Sequence, residues 1–519
     1  MIRPVMPSHA RLPRWFPLAL LLLGASAWLT LSLWNDFPYF YHTDEPGKVK
    51  QIAEGTRNLH HPLLLLESVA LAVKARGIYA NQNIVETGRA ISAAFAAAAV
   101  VLLSWTVARS RGPWTGLAAG LLLLTQPDLH EYSRYFKEDA ALLFGVTAVF
   151  AAIQLWEQKP GPLTALLLGT ATALALSAKY IGAIMLLPAA WILIPSSRGR
   201  SWPRTALAIL ALVSVAALIN LRLLTDPDTF RDSLSRETTL VLEGQAGVTK
   251  SIPHAGFFAR LLNRSAHLLP LCILGTLAAW RASKPGHRSE WFLIASPIAL
   301  AILLSFSAKD SGRYFLPACA GIAASAATGL AALASSPRWH RLAIPATLAA
   351  LALSFTRTLP YLNGFRSDAR RNLLTWAAAN LPPESQLIQG RKVCLPDFSG
   401  QFADGWHHTP THLFPIDSTS YLPDFAPTPA ALAAAGYSHA AIAGDEFERY
   451  LRSDQKPKSG RESEFSLRRN FYLALESEAT LLWSSPPGKV GTHQPELRLY
   501  QLPTSPTPQS PPATPNPNH

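Results

Sequence analysis

The chain has 519 residues, of which 49% are hydrophobic and 15% charged, and it carries a formal net charge of +13. Its basic excess comes with neither zinc-finger spacing nor a continuous basic face, which argues against nucleic acid as a partner. The three cysteines, Cys272, Cys319 and Cys394, lie too far apart for a disulfide framework or a cysteine metal cluster.

After a basic amino-terminal stretch (residues 1–13), apolar segments recur near 14–34, 87–108, 113–127, 139–156, 163–179, 180–195, 204–223, 265–280, 291–306, 313–333 and 341–355. Many approach the length of about 20 residues that a bilayer-spanning helix needs, so the reading is an α-helical polytopic membrane protein of about eleven spans. The first segment offers small residues at Gly24-Ala25-Ser26-Ala27 but stays apolar to Trp34, longer than a signal core, and is read as an uncleaved helix.

Charge supplies the polarity. With the amino terminus inside, the inner loops carry Arg109 and Arg111; Lys159; Arg198, Arg200 and Arg204; Arg281, Lys284 and Arg288; and Arg338 and Arg341. All are short and basic, as the positive-inside bias requires, and suit contact with anionic membrane lipid. Residues 36–86, 128–139 and 224–260, Lys309-Asp310 and everything after Phe355 then fall on the outer face.

Within a membrane region spanning 14–355, the outer loop 36–86 predicts two interfacial helices, over Glu45–Leu59 and Leu63–Val73, with a turn at His60-His61-Pro62. Loop 224–260, with Gly244, Gly247, Phe257 and Phe258, reads equally as a lid or as a plain solvated loop. Residues 356–502 predict a small outer-face α/β domain, with helices near 366–380 and 446–452. Its strands fall near 385–389, 438–443, 481–483 and 497–502. The Pro/Ser/Thr-rich stretch 503–519 is expected to stay flexible.

The chemistry is expected at the outer face. Asp44 and Glu45 follow the first span by about ten residues, where a carboxylate suits proton abstraction or cation coordination. Asp128, Glu131, Arg134, Lys137, Glu138 and Asp139 precede a span. Spacing of three would let Glu131 pair with Arg134, and Arg134 and Lys137 present two cations to a phosphate. Lys179 and the group Lys309, Arg313 and Tyr314 add basic outer-end positions. His42, His60 and His61 supply ligand chemistry without zinc-like spacing.

Taken in order, Asp44-Glu45, His61-Pro62, Arg134 to Asp139, Ser177-Ala178-Lys179-Tyr180 and Arg313-Tyr314 resemble the GT-C class of polyprenyl-phosphate-dependent membrane glycosyltransferases. The resemblance spans roughly residues 30–380 and is to the group containing protein O-mannosyltransferases and lipid A aminoarabinose transferases (glycosyltransferase family 39-like). It implies a GT-C-like transmembrane core and inverting transfer of a sugar from a polyprenyl-phosphate-linked donor. The acceptor is an unidentified lipid, glycan or protein on the periplasmic or luminal side, and the expected location is a bacterial inner membrane.

By that resemblance Asp44 is the base, Glu45 orients it or helps place a cation, and Asp139 supports acceptor or cation. Arg134, Lys137, Lys179 and Arg313 are donor-phosphate ligands, with His61, Glu138 and Tyr314 auxiliary. No cofactor is fixed, and a divalent cation on Asp44, Glu45 and Asp139 stays open. A polyprenyl-lipid flippase or transporter, or a noncatalytic envelope assembly protein, would use similar headgroup contacts. The one-sided concentration of polar groups favours an enzyme.

Overall fold

The computed structural model describes residues 12–196, 202–243, 248–250, 259, 263–282, 288–307, 312–396, 416–419, 428–452, 455–457 and 459–503. Contacts divide the chain into two units: 1–245 with 252–365, and 246–251 with 366–519.

The first unit is helical. Its elements are α1 (Phe16–Ser32), α2 (Glu45–Glu54), α3 (Leu64–Arg76), α4 (Asn81–Arg111), α5 (Pro113–Leu124), α6 (Pro127–Tyr132), α7 (Glu138–Gln158) and α8 (Pro162–Ala178). There follow α9 (Leu186–Ser196), α10 (Trp202–Ile219), α11 (Leu221–Thr225), α12 (Pro227–Glu243), α13 (Leu269–Ala282), α14 (Arg288–Ser305), α15 (Ala318–Ala334) and α16 (Ala343–Arg366). Helices cover every predicted apolar segment. Among the described residues four are long and apolar enough to cross a membrane: α4, α7, α10 and the run His340–Arg366 that contains α16. Further apolar helices are shorter.

Burial follows the expected physics of a bundle in lipid. In α7, 83% of the most apolar window is inside the protein, against 17% in α10, whose Ile209, Leu210, Val213 and Leu218 are exposed. Such outward leucines are at home in hydrocarbon, so small residues set the packing instead. A Cβ on Gly169 would meet the Ala208 carbonyl of α10, which is how closely α8 and α10 approach.

Two short helices fill the first long connection, as predicted. Pro46 opens α2 in the first turn, and Gly55, at φ +69°, closes it in the left-handed region. Gly77 ends α3 the same way, with Ile78 N–H donating to the Val73 carbonyl. Loop 224–260 is partly helical, since α12 occupies its first half; Gly244, Gly247, Phe257 and Phe258 lie outside the described residues, as do Lys309 and Asp310. The last apolar helix runs on to Arg366 rather than ending near residue 355.

The second unit contains α17 (Ala369–Asn380), α18 (Pro429–Ala434), α19 (Gly444–Leu451) and α20 (Glu462–Glu478) with a five-stranded sheet. The sheet order is β3 (Ile416–Thr419), β2 (Leu387–Gly390), β4 (His439–Ala443), β7 (Leu497–Gln501), β6 (Thr480–Ser485). β2 pairs in parallel with β3 and β4, and β7 runs antiparallel to both its neighbours. β1 (Val248–Lys250) and β5 (Gln455–Pro457) form a separate antiparallel pair.

Candidate active site

The candidate site lies where α1 and α8 end and α4 and α7 begin, with α2 and the 3₁₀ turn Gly312–Phe315 beside them. Its frame is a buried ion pair absent from the sequence reading. Arg89, about two turns inside α4 and fully buried, donates from Nε to Glu45 Oε1 at 3.0 Å and from Nη2 to Glu45 Oε2 at 2.5 Å. The same guanidinium donates to the carbonyls of Asn35, Phe37 and Pro38 and lies 3.3 Å from the centroid of the Phe37 ring. Glu45 Oε1 also accepts the Phe136 backbone N–H at 2.8 Å. Glu45 therefore ties α2 to α4 and to the segment before α7. It is a positioning residue whose oxygens are already occupied.

Asp44 is the contrasting acid. It occupies the N-cap position of α2, but its side chain makes no capping bond. Lys137 Nζ donates to Asp44 Oδ2, and Arg313 Nη1 lies 3.7 Å from that same oxygen. The Asp44 side chain is 41% exposed, whereas Lys137 is 3% and Arg313 20% exposed. Burial works against ionisation, yet Lys137, His42 and Arg313 hold this carboxyl well below the usual carboxylate range. Burial and the neighbouring Arg313 push the Lys137 ammonium down to about 8.

The remaining charges pair deeper in. Lys179, directly after α8, donates to Asp139 Oδ1 at 2.6 Å, and its ammonium lies 4.3 Å from the Tyr314 ring centroid. Lys48, one helical turn beyond Asp44, donates to Glu138 Oε1 and lies 5.6 Å from the Phe136 ring centroid. Burial and Lys137 push Lys48 down to about 7. In this linked set, Arg89, Lys48 and Lys179 each have one acid, while Lys137 and Arg313 share Asp44. With every group ionised, the set carries one positive charge in excess, beside its most exposed carboxylate.

Arg134 has a different task from the one its spacing suggested. α6 ends at Tyr132, so residues 131, 134 and 137 do not share a helical face. Glu131 and Asp128 meet Arg264 instead, at 3.2 and 2.7 Å. Arg134 is fully buried, donates to the Thr30 and Leu33 carbonyls, and lies 4.8 Å from the Phe365 ring centroid. It caps the unpaired carbonyl end of α1, where orphan acceptors need donors. Its two terminal nitrogens are occupied by these carbonyls, so the cation expected to meet a phosphate is bound to backbone in this structure. His61 is half-buried in the turn between α2 and α3, next to buried Pro62.

Among the described residues no group of three or more His, Cys, Asp and Glu side chains forms a metal site. Asp44, Glu45 and Asp139 are engaged separately by Lys137 and Arg313, by Arg89, and by Lys179. Engaged in this way, the three carboxylates do not converge as a donor set for a protein-held divalent cation.

The structure is similar over 93% of its length to ArnT from Cupriavidus metallidurans bound to undecaprenyl phosphate, covering 98% of that chain with a TM-score of 0.54 and 14% identity. The apo state of the same protein gives 0.51 with the same coverage and identity. The chain has a GT-C fold. Residues 82–222, from the start of α4 into α11, also match the family model of dolichyl-phosphate-mannose-protein mannosyltransferases. The oligosaccharyltransferase AglB of Archaeoglobus fulgidus, in complex with an inhibitory peptide and a dolichol-phosphate, aligns over 91% of this GT-C chain and 73% of its own, with a TM-score of 0.49 and 11% identity. No curated protein sequence matches the chain significantly.

Proposed function

We propose that this protein transfers a sugar, with inversion, from a polyprenyl-phosphate-linked donor to an acceptor nucleophile at the outer face of a bacterial inner membrane. The observation that carries the reading is the pairing of the exposed Asp44 with two cations, Lys137 and Arg313, whose field also reaches the buried Asp139. A phosphodiester donor brings one negative charge, which matches the excess. In this reading the amino terminus is cytoplasmic and the second unit periplasmic.

The acceptor oxygen attacks the anomeric carbon and loses its proton to Asp44, while the bond from that carbon to the phosphate oxygen breaks. The bond electrons leave on the phosphate, where Lys137 and Arg313 stabilise the developing charge. A phosphate leaving group needs no protonating acid, so a single carboxylate suffices for an inverting displacement. Glu45 and Arg89 hold Asp44 in register through the first turn of α2, and Lys179, paired with Asp139, lies beside Tyr314.

Purified protein in lipid, offered a panel of polyprenyl-phosphate sugars and an envelope extract, tests the reading through carrier-phosphate release and acceptor mass. Coupled release and a sugar-sized mass gain, both lost in Asp44→Asn, are expected. Absence of transfer across the panel, together with Asp44-insensitive movement of the lipid between leaflets, would overturn it in favour of a flippase.

A further inference from the structure

The two cations expected to meet the donor phosphate are the two that hold Asp44. Lys137 Nζ and Arg313 Nη1 both approach Asp44 Oδ2, and the buried Arg313 Nε makes no hydrogen bond. Lys48, Arg89 and Lys179 cannot replace them, because each is bound to a buried acid whose own desolvation would go uncompensated if the pair opened. Resting on the donor reading above, we propose that Asp44 is latched by Lys137 and Arg313 and is released to act as base only when a donor phosphate draws those two cations onto itself.

The argument is competition for the same donors. With Oδ2 bonded to the Lys137 ammonium and 3.7 Å from the Arg313 guanidinium, Asp44 is weakly basic, so it is a poor proton acceptor for an acceptor hydroxyl. A phosphate at the Lys137–Arg313 edge offers more oxygens and matches the fork of an arginine better than the single Oδ2 now does. Transfer of the cations leaves Asp44 ionised, exposed and free to accept a proton beside the sugar. An acceptor arriving first meets a weakened base, so productive binding is ordered, with the donor first. The latch sits on the exposed side of the cluster: Asp44 is the more accessible member of both its pairs, and Arg313 is the most accessible of the five cations.

A double-mutant cycle on binding separates a latch from simple charge repulsion. The affinity of full-length protein in lipid nanodiscs for undecaprenyl phosphate is measured for wild type, Asp44→Asn, Lys137→Met and the double variant. If Lys137 must leave Asp44, Asp44→Asn tightens binding by roughly threefold or more in the wild-type background, and by clearly less once Lys137 is gone. The same cycle with Arg313→Gln in place of Lys137→Met provides a second reading if one variant fails to fold. Equal tightening in both backgrounds, or none, overturns the latch while leaving the donor site intact. Failure of all four folded proteins to bind the lipid phosphate overturns the donor reading and the latch with it.

Discussion

Arg89 grips Glu45 with two parallel N–H···O bonds, 3.0 and 2.5 Å long, and neither side chain reaches solvent. The neighbouring Asp44 remains 41% exposed. Two adjacent carboxylates thus differ in access according to which one finds a buried arginine, and on the proposed reading only the exposed one is left for chemistry.

Arg89→Gln should therefore act on stability before it acts on rate. Removing one partner of a buried pair leaves the other charge uncompensated, at a typical cost of about 3–5 kcal/mol. Thermal unfolding in lipid should show a marked drop for Arg89→Gln and for Glu45→Gln alike. An unchanged melting temperature in both would refute the framing role.

Asp44→Asn should behave in the opposite way. The fold and donor binding persist, while sugar transfer falls by roughly 10²–10⁴-fold, the usual worth of a general base. Single-turnover transfer with saturating donor is the measurement. A loss confined to donor affinity would place Asp44 outside the chemistry.

The pair Asp44 and Glu45 was visible as a motif, but their division of labour was not. It depends on Arg89, Phe136 and Lys137, which tertiary packing brings to the two acids. The eleven apolar segments, the two short helices after α1 and most strands of the second unit were legible because hydrophobic runs and proline or glycine stops are local signals. Arg89 left a trace that went unread: a lone arginine in the segment 87–108 is costly in hydrocarbon and implies a buried acid. Lys48 left another, four residues after Asp44 in a predicted helix. The spacing of Glu131, Arg134 and Lys137 suggests a shared helical face, but α6 ends at Tyr132, which no local signal announces.

Donor binding should weaken as pH rises through the Lys137 value of about 8. Below it the ammonium is charged and available to a phosphate; above it the charge is lost. A phosphodiester ligand does not itself titrate there, so affinity measured between about pH 7 and 9.5 reports the lysine. Lys137→Arg, charged throughout, should flatten the profile. A fall that survives this substitution would exclude Lys137 as its source.

In the second unit, burial pushes Glu446 up to about 7. One carboxyl oxygen accepts the Lys392 N–H at 2.9 Å, and the other has no hydrogen-bond partner. Because the folded value is raised above the unfolded one, the folded state holds the extra proton. Its stabilising effect is complete at acid pH and is lost as pH rises towards 7, on the order of 2–3 kcal/mol. Hydrogen exchange of β2, β4 and α19 in the full chain, corrected for intrinsic rates, should show protection falling over that interval. Glu446→Gln should remove the dependence, and a profile unaffected by it would disprove the assignment.

The candidate site is also a record of synthesis order. Asp44 emerges early, Arg89 and Lys137 join it as α4 and α7 follow, and Arg313 arrives only with the turn that opens α15. A nascent chain inserted as far as α14 already holds its acid against Lys137 but lacks one of the two cations that would receive a lipid phosphate. On the proposed reading, half-built molecules in the membrane hold the carrier less well than the finished protein, and the second cation arrives at one late step of insertion.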